Sequence, residues 1–235
     1  MKVVAVVFAG GVGSRMKNEG MPKQFLEWNG KAIIIHTLEV FETQENVDAI
    51  VVVSKEEWID YTNELIRNAS LQKVVAVVPG GNSALDSQYQ GLLEVKRRYG
   101  DQNVAVLIHD GVRPLVDHAT IQRNIDSVRE NGSAITVAKA IETVIQVGDD
   151  GIEGIMDRGS CRMAKAPQSF LLDQILDAHT MAIRDGRHDY IDSASLMMAY
   201  GYRLYPVDGE PENIKITTPS DYYMFLGISR NRDQQ

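Results

Sequence analysis

Five stretches of this chain carry residues of the types and spacing that handle phosphate. The first is Ala9-Gly10-Gly11-Val12-Gly13-Ser14-Arg15, directly after the apolar run Val3–Phe8. Glycine at positions 10, 11 and 13 removes the side chains that would hold phosphate oxygens away from backbone N–H groups, and Arg15 adds a fixed positive charge. In Met21-Pro22-Lys23-Gln24-Phe25 a lysine follows a proline, which predicts a stiff, extended stretch that aims the side chain. In Pro79-Gly80-Gly81-Asn82-Ser83-Ala84-Leu85-Asp86-Ser87 paired glycines again admit a ligand close to backbone, and Ser87 is expected to open a helix with a free hydroxyl. His109-Asp110-Gly111-Val112-Arg113 places a carboxylate at a strand end. Such a carboxylate suits Mg²⁺, which takes one or two carboxylates and fills its shell with phosphate oxygens and water. Capping of the next turn by Asp110, or an ion pair between Asp110 and Arg113, would be the structural alternatives. Lys215, in the β-type run around Asn213-Ile214-Lys215-Ile216-Thr217, is a further cation whose structural role would be edge protection. His109 receives no chemistry.

These residues need a scaffold that brings strand ends together. Apolar strand-like runs recur at Val3–Phe8, Ala49–Val53, Val74–Val78, Val104–Ile108, Ala134–Ala138 and Arg203–Val207. Helix-like spacing fills Ile33–Glu42, Glu56–Ala69, Ser83–Tyr99, Thr120–Glu130, Leu171–Arg184 and Asp192–Tyr200. The alternation predicts an α/β fold with a mostly parallel twisted sheet and helices on both faces. Ligands of such sheets bind outside the carboxyl ends of the strands, where the glycine turns and Asp110 fall. No repeat or linker divides the chain, so 1–235 reads as one domain. One interruption, 139–166, replaces an expected crossover helix. There Thr143–Val147 and Ile152–Met156 flank Gly148-Asp149-Asp150-Gly151, which predicts a β-hairpin projecting as an arm. An apolar arm needs a partner surface, and a second copy of the chain is expected to supply it.

The first glycine turn fits neither of two common phosphate signatures. Met16 stands where a dinucleotide fingerprint has its third glycine, and no Gly-Lys-Ser/Thr closes a Walker loop. The net charge of −8 argues against broad nucleic-acid binding, so any anion site must be a local concentration of Arg and Lys. A single cysteine, Cys161, excludes an internal disulfide framework and fits a reducing cytoplasm. The N-terminal apolar run is too short for a signal peptide or a membrane span, so a soluble cytoplasmic protein is expected.

Taken together and in order, AGGxGxRM, PKQF, GG-x5-S, HDxxRP, the Glu-Thr pair of the arm, APQ-x-F and ENIKIT give the chain its family likeness. From about Val3 to about Phe225 it resembles the cytidylyltransferases of sugar-alcohol phosphates, whose acceptors include ribitol 5-phosphate and 2-C-methyl-D-erythritol 4-phosphate. The resemblance implies a Rossmann-like nucleotidyltransferase fold, CTP and Mg²⁺ as co-reactants, and a homodimer built through the arm. It implies that Ala9, Gly10, Gly11, Gly13 and Arg15 hold the CTP phosphates with Lys23 beside them, and that Gly81 and Ser87 meet the cytidine. Asp110 matches the carboxylate of the metal and ribose region, and Lys215 the second lysine near the α-phosphate. Arg113 is assigned to the acceptor, and Thr143 and Arg158 to the acceptor phosphate of the neighbouring subunit. Several segments, among them Val53-Ser54-Lys55-Glu56-Glu57-Trp58, look closer to the ribitol branch, linked to teichoic acid or capsule synthesis, than to the isoprenoid branch. One departure stands out: Ala84 occupies a position that is usually arginine in the family.

Overall fold

The computed structural model describes residues 1–9 and 21–232. Gly10, Gly11, Gly13 and Arg15 therefore lie outside the described residues. Val3, Ala5 and Val7 of β1 (Lys2–Phe8) face one side of the sheet, and Val4 and Val6 the other. Continuous apolar runs of this kind belong to strands covered on both faces. β2 (Glu27–Trp28) and β3 (Lys31–Ala32) pair as a short hairpin before α1 (Ile33–Thr43). Next come β4 (Ala49–Ser54), α2 (Ile59–Asn68), β5 (Val74–Pro79), α3 (Ala84–Tyr99) and β6 (Val104–Asp110). α4 (His118–Asn131) and β7 (Ser133–Lys139) lead into the arm, β8 (Ile145–Gly148) and β9 (Gly151–Ile155). The chain returns through β10 (Arg162–Leu171), α5 (Leu172–Arg184), α6 (Ser193–Ala199), β11 (Pro206–Asp208) and α7 (Pro219–Arg232).

The main sheet runs β11-β7-β10-β6-β1-β4-β5, with β10 antiparallel to both neighbours and the other pairs parallel. On one face α1, α2 and α4 bury Leu38, Phe41, Ile66, Ile121 and Ile125. On the other, α3, α5 and α6 bury Leu92, Val95, Ile175 and Leu196. From β1 the chain builds outward through β4 and β5, then crosses back to place β6 on the other side of β1. That reversal makes a crevice at the carboxyl ends of β1 and β6, where Phe8 pairs with Asp110.

The α/β architecture and the hairpin follow the sequence reading, while several boundaries shift. The last expected strand, Arg203–Val207, is observed at Pro206–Asp208 because only that part aligns with β7. Lys215 is not in a strand: Asn213–Thr217 lies outside the regular elements, and Ile216 N–H donates to Val112 O at 2.9 Å. Lys23 is not on an extended stretch either. The extended conformation stops at Pro22, and Lys23–Phe25 is a 3₁₀ turn whose backbone N–H of Phe25 returns to Pro22 O at 2.9 Å. β8 and β9 form a two-stranded sheet of their own, apart from the main one. Val147, Ile152 and Ile155 are each about two-thirds or more exposed in the single chain (66%, 67% and 73%), so the hairpin does not fold back on its own domain.

Candidate active site

The crevice between β1 and β6 opens into two adjoining chambers. The first, about 310 Å³, is lined by Ala9, Lys23, Gly81, Ser87, Asp110 and Lys215 among others. Six residues singled out from the sequence thus meet in one cavity. The second, about 250 Å³, takes in Arg113, Lys165, Gln168 and Asp192. Phe8, Ala84, Asp110 and Lys215 line both and so stand at the junction.

Asp110 organises the cations. Its Oδ1 accepts from Lys215 Nζ at 2.5 Å and its Oδ2 from Arg113 Nε at 2.7 Å. Burial alone would raise its pKa, but Lys215 and Arg113 together outweigh that and hold the carboxyl at about 2. The group is ionised throughout the physiological range. It does not cap a helix: α4 is capped by Asp117, which accepts from Thr120 N–H. The ion pair with Arg113 that the sequence allowed is present, and Lys215 joins it. Lys215 also stands 5.8 Å from the Phe8 ring centroid, within cation–π range.

The glycine turn after β5 is held by Ser87. Its hydroxyl is not free. Ser87 lies a turn inside α3, is 3% exposed, donates to Ser83 O at 2.8 Å and accepts from Gly81 N–H at 3.1 Å. The helix start belongs to Ser83, which exchanges hydrogen bonds with Asp86 in a capping box. A Cβ at Gly81 would fall 2.4 Å from Asp86 Cβ, so the capped turn and the glycine require each other. Ser87 therefore shapes the chamber by fixing Gly81, and both line it.

Gln24 is a site residue that the sequence reading missed. Its Nε2 donates to Ala9 O at 2.6 Å, tying the residue that follows β1 to the segment that bears Lys23. Its place within the quoted PKQF was the available signal. Asn213 was missed too: its Nδ2 donates to Ala166 O at 2.7 Å and its carbonyl accepts from Arg113 at 2.8 Å. His109 is fully buried and pushed down to about 4 by desolvation, with Nε2 3.2 Å from Arg113 O and its ring edge-on to Phe41. It is a neutral scaffold residue, as expected.

Thr143 and Arg158 line neither chamber of their own chain. Arg158 borders a groove of about 580 Å³ on the arm with Lys139 and Arg162, and its guanidinium donates to Ile141 O at 3.1 Å. Lys139 and Arg162 sit directly opposite one another in the β7–β10 pairing. None of the three cations has a carboxylate within ion-pair distance among the described residues. Like charges facing across strands are unfavourable, and an anion would relieve them. For a divalent ion, no cluster of three or more His, Cys, Asp or Glu side chains exists among the described residues. Asp110 retains accepting lone pairs beyond the two used by Lys215 and Arg113, which fits an ion held chiefly by phosphate oxygens.

Comparison with known proteins gives a consistent picture. The model of the family described as "IspD: 2-C-methyl-D-erythritol 4-phosphate cytidylyltransferase" matches residues 3–226. A protein of Vibrio parahaemolyticus named ribitol-5-phosphate cytidylyltransferase is 49% identical over 226 residues, covering 96% of this chain and 94% of its own. One of the same name from Streptococcus agalactiae is 48% identical over 236 residues, covering 100% and 98%. Among solved structures, the 2-C-methyl-D-erythritol 4-phosphate cytidylyltransferase of Francisella tularensis superposes with a TM-score of 0.79 at 27% identity, covering 96% of this chain and 99% of its own. The 4-diphosphocytidyl-2C-methyl-D-erythritol synthase of Anaerococcus prevotii, at 24% identity and a TM-score of 0.82 over 97% of this chain and 96% of its own, shares the fold.

Proposed function

Because the chain belongs to the 2-C-methyl-D-erythritol 4-phosphate cytidylyltransferase family, we propose that it transfers the cytidylyl group of CTP to D-ribitol 5-phosphate. The products are CDP-ribitol and pyrophosphate. The choice of acceptor rests on the relatives that carry the ribitol name at 48–49% identity over nearly the full length. The observation that carries the chemistry is the junction of the two chambers, where Lys215 stands on Asp110 between a glycine-lined and a polar cavity.

The reaction sets one anion against another. A phosphate oxygen of the acceptor attacks the α-phosphorus of CTP, the bond to the α–β bridging oxygen breaks, and pyrophosphate leaves with the electron pair. The nucleophile needs no general base, because a phosphate monoester with a second pKa of about 6 is already ionised. Cations must suppress repulsion and stabilise charge on the equatorial and leaving oxygens. Lys23 in the first chamber and Lys215 at the junction are the described side chains for this, with Arg15 assigned to the same task by family likeness. Asp110 directs Lys215 by accepting from its Nζ. Mg²⁺, when bound by the triphosphate and Asp110, would neutralise triphosphate charge.

The groove of Lys139, Arg158 and Arg162 supports a second subunit as the source of the acceptor's phosphate contacts, with Thr143 and Arg158 reaching across a homodimer. Arg113 faces the acceptor in the second chamber. No described helix is long and apolar enough to cross a membrane, and with one half-buried cysteine the cytoplasm is the compartment we assign. Neither nucleic acid nor membrane enters this reading.

Steady-state kinetics with competing acceptors test the assignment. The expected result is a kcat/KM for ribitol 5-phosphate at least about tenfold above that for 2-C-methyl-D-erythritol 4-phosphate. The reverse order would place the protein in the isoprenoid branch. CTP binding without turnover on either would leave a nucleotide-binding protein.

A further inference from the structure

β10 carries a lysine for which the phosphate chemistry has no use. Lys165 lies where the register of β10 against β7 breaks, between Ala164 and Gln168. Such a bulge re-aims a side chain, and bulges are common beside active sites. Lys165 lines the second chamber, and its Nζ donates to the main-chain carbonyls of Pro211 at 3.1 Å and Asn213 at 3.2 Å. The next residue grips the same loop, since Ala166 O accepts from Asn213 Nδ2 at 2.7 Å. From another side, Arg113 donates to Asn213 O at 2.8 Å. Two residues on, Lys215 rests on Asp110, and Ile216 N–H is fixed to Val112 O. The segment from Asn213 to Ile216 is thus pinned at both ends with Lys215 between.

This is an unfavourable place for an ammonium. Arg113 and Lys215 share the charge of Asp110, whereas Lys165 has no carboxylate within ion-pair distance among the described residues. Burial, and secondarily the charge of Arg113, push its pKa below that of an ordinary lysine. An apolar side chain would avoid that cost but could not donate to two carbonyls at once.

Resting on the cytidylyltransfer reading, we propose that Lys165 is a positioning residue for the reaction: its ammonium holds the 211–213 main chain and so sets where Lys215 stands between the two chambers. Lys165 acts through Lys215 rather than on the reacting atoms. Its loss therefore falls on turnover and not on binding.

The test combines Lys165→Met and Lys165→Arg with Lys215→Ala. Lys165→Met is expected to lower kcat about tenfold while KM for CTP and for the alcohol phosphate stays within about twofold. Lys165→Arg, which can also bridge two carbonyls, should recover most of that loss. In the Lys215→Ala background, Lys165→Met should cost less than about twofold more, because the group it positions is gone. A raised KM for the acceptor at unchanged kcat would mean direct substrate contact and overturn the proposal. Equal losses with and without Lys215, or failure of the arginine to recover, would also overturn it. Crystal structures of the wild type and of Lys165→Met (or Lys165→Gln, should the methionine variant fold poorly) give a readout without turnover. Lys215 Nζ should leave Asp110 in the variant, and an unchanged pair contradicts the proposal. Should the wild type make no cytidylyl product, the functional reading would fall, and the crystallographic comparison would still decide what holds Lys215.

Discussion

At the smallest scale, Asp110, Arg113 and Lys215 form one charge cluster at the junction of the two chambers. One buried carboxylate fixes two basic side chains, so Lys215 is aimed before any ligand arrives. Such preorganisation is where electrostatic stabilisation of a transition state comes from. Lys23→Ala and Lys215→Ala should each lower kcat roughly a hundredfold, about 3 kcal/mol of transition-state stabilisation, a far larger effect than either has on folding stability. Turnover within about threefold of wild type in both would mean the α-phosphate lies elsewhere. Ala84, where the family likeness leads one to expect arginine, lines both chambers. Ala84→Arg should tighten CTP binding by about 1 kcal/mol, measurable by calorimetry, and unchanged affinity would indicate that another group already fills the space. Residue types and their order were legible in the sequence, because glycine, lysine and carboxylate report directly on what can approach a phosphate. Partners were not. The bonds of Ser87 to Gly81 and Ser83, and those of Asn213, join groups whose meeting depends on how loops fold over the strand ends.

At the scale of elements, α3 delivers Gly81, Ala84 and Ser87 to the crevice by packing tightly on the sheet. A Cβ at Gly91 would come within 2.5 Å of Val6 Cγ1 and 2.8 Å of Val53 Cγ2. Gly91→Ala should therefore cost about 1–3 kcal/mol of stability in chemical denaturation, despite alanine's better helix propensity. An unchanged midpoint would mean the helix can lift off β1 and β4 without penalty. Most helices and parallel strands announced themselves through apolar periodicity. β10 did not, because its bulge breaks the alternation and Ala166-Pro167 interrupts the apolar run. α7 was also missed, although Thr218-Pro219-Ser220-Asp221 carries a start signal. Thr218 and Asp221 exchange hydrogen bonds around a proline at the first helical position. With its apolar residues spread around the helix, α7 lacks the one-sided stripe that marks a surface helix; Phe225 is buried beside Ile216, and Tyr222, Leu226 and Ile228 pack partly buried against the same cluster.

At the scale of the whole molecule, the proposed function has one chain leave its acceptor site incomplete. The arm exposes Val147, Ile152 and Ile155, and the groove beside it gathers Lys139, Arg158 and Arg162 with no carboxylate in ion-pair reach among the described residues. Mixing Arg158→Ala with Lys23→Ala subunits should recover up to about one functional site per heterodimer, since one site receives both lesions and the other neither. No recovery after confirmed subunit exchange would confine the arm to its own chain. Acid should weaken the fold as a whole. His109 and His179 are both pushed down to about 4 by burial. Their unfolded forms take up protons near pH 6.5, so the stability they contribute is present above that pH. It is lost as pH falls toward 4, on the order of a few kcal/mol for the pair. Denaturant melts between pH 7.5 and 4.5 should show that slope, and His179→Phe should flatten it. The central claim, that the crevice joins two phosphates through Lys215, is tested most directly by ³¹P NMR of CTP and ribitol 5-phosphate incubated with the wild type and with Lys215→Ala. The account predicts paired diphosphate resonances of CDP-ribitol appearing in step with pyrophosphate for the wild type, and roughly a hundredfold more slowly for the variant. Persistence of CTP with the wild type, its hydrolysis without a CDP-alcohol, or equal rates for the two proteins would contradict it.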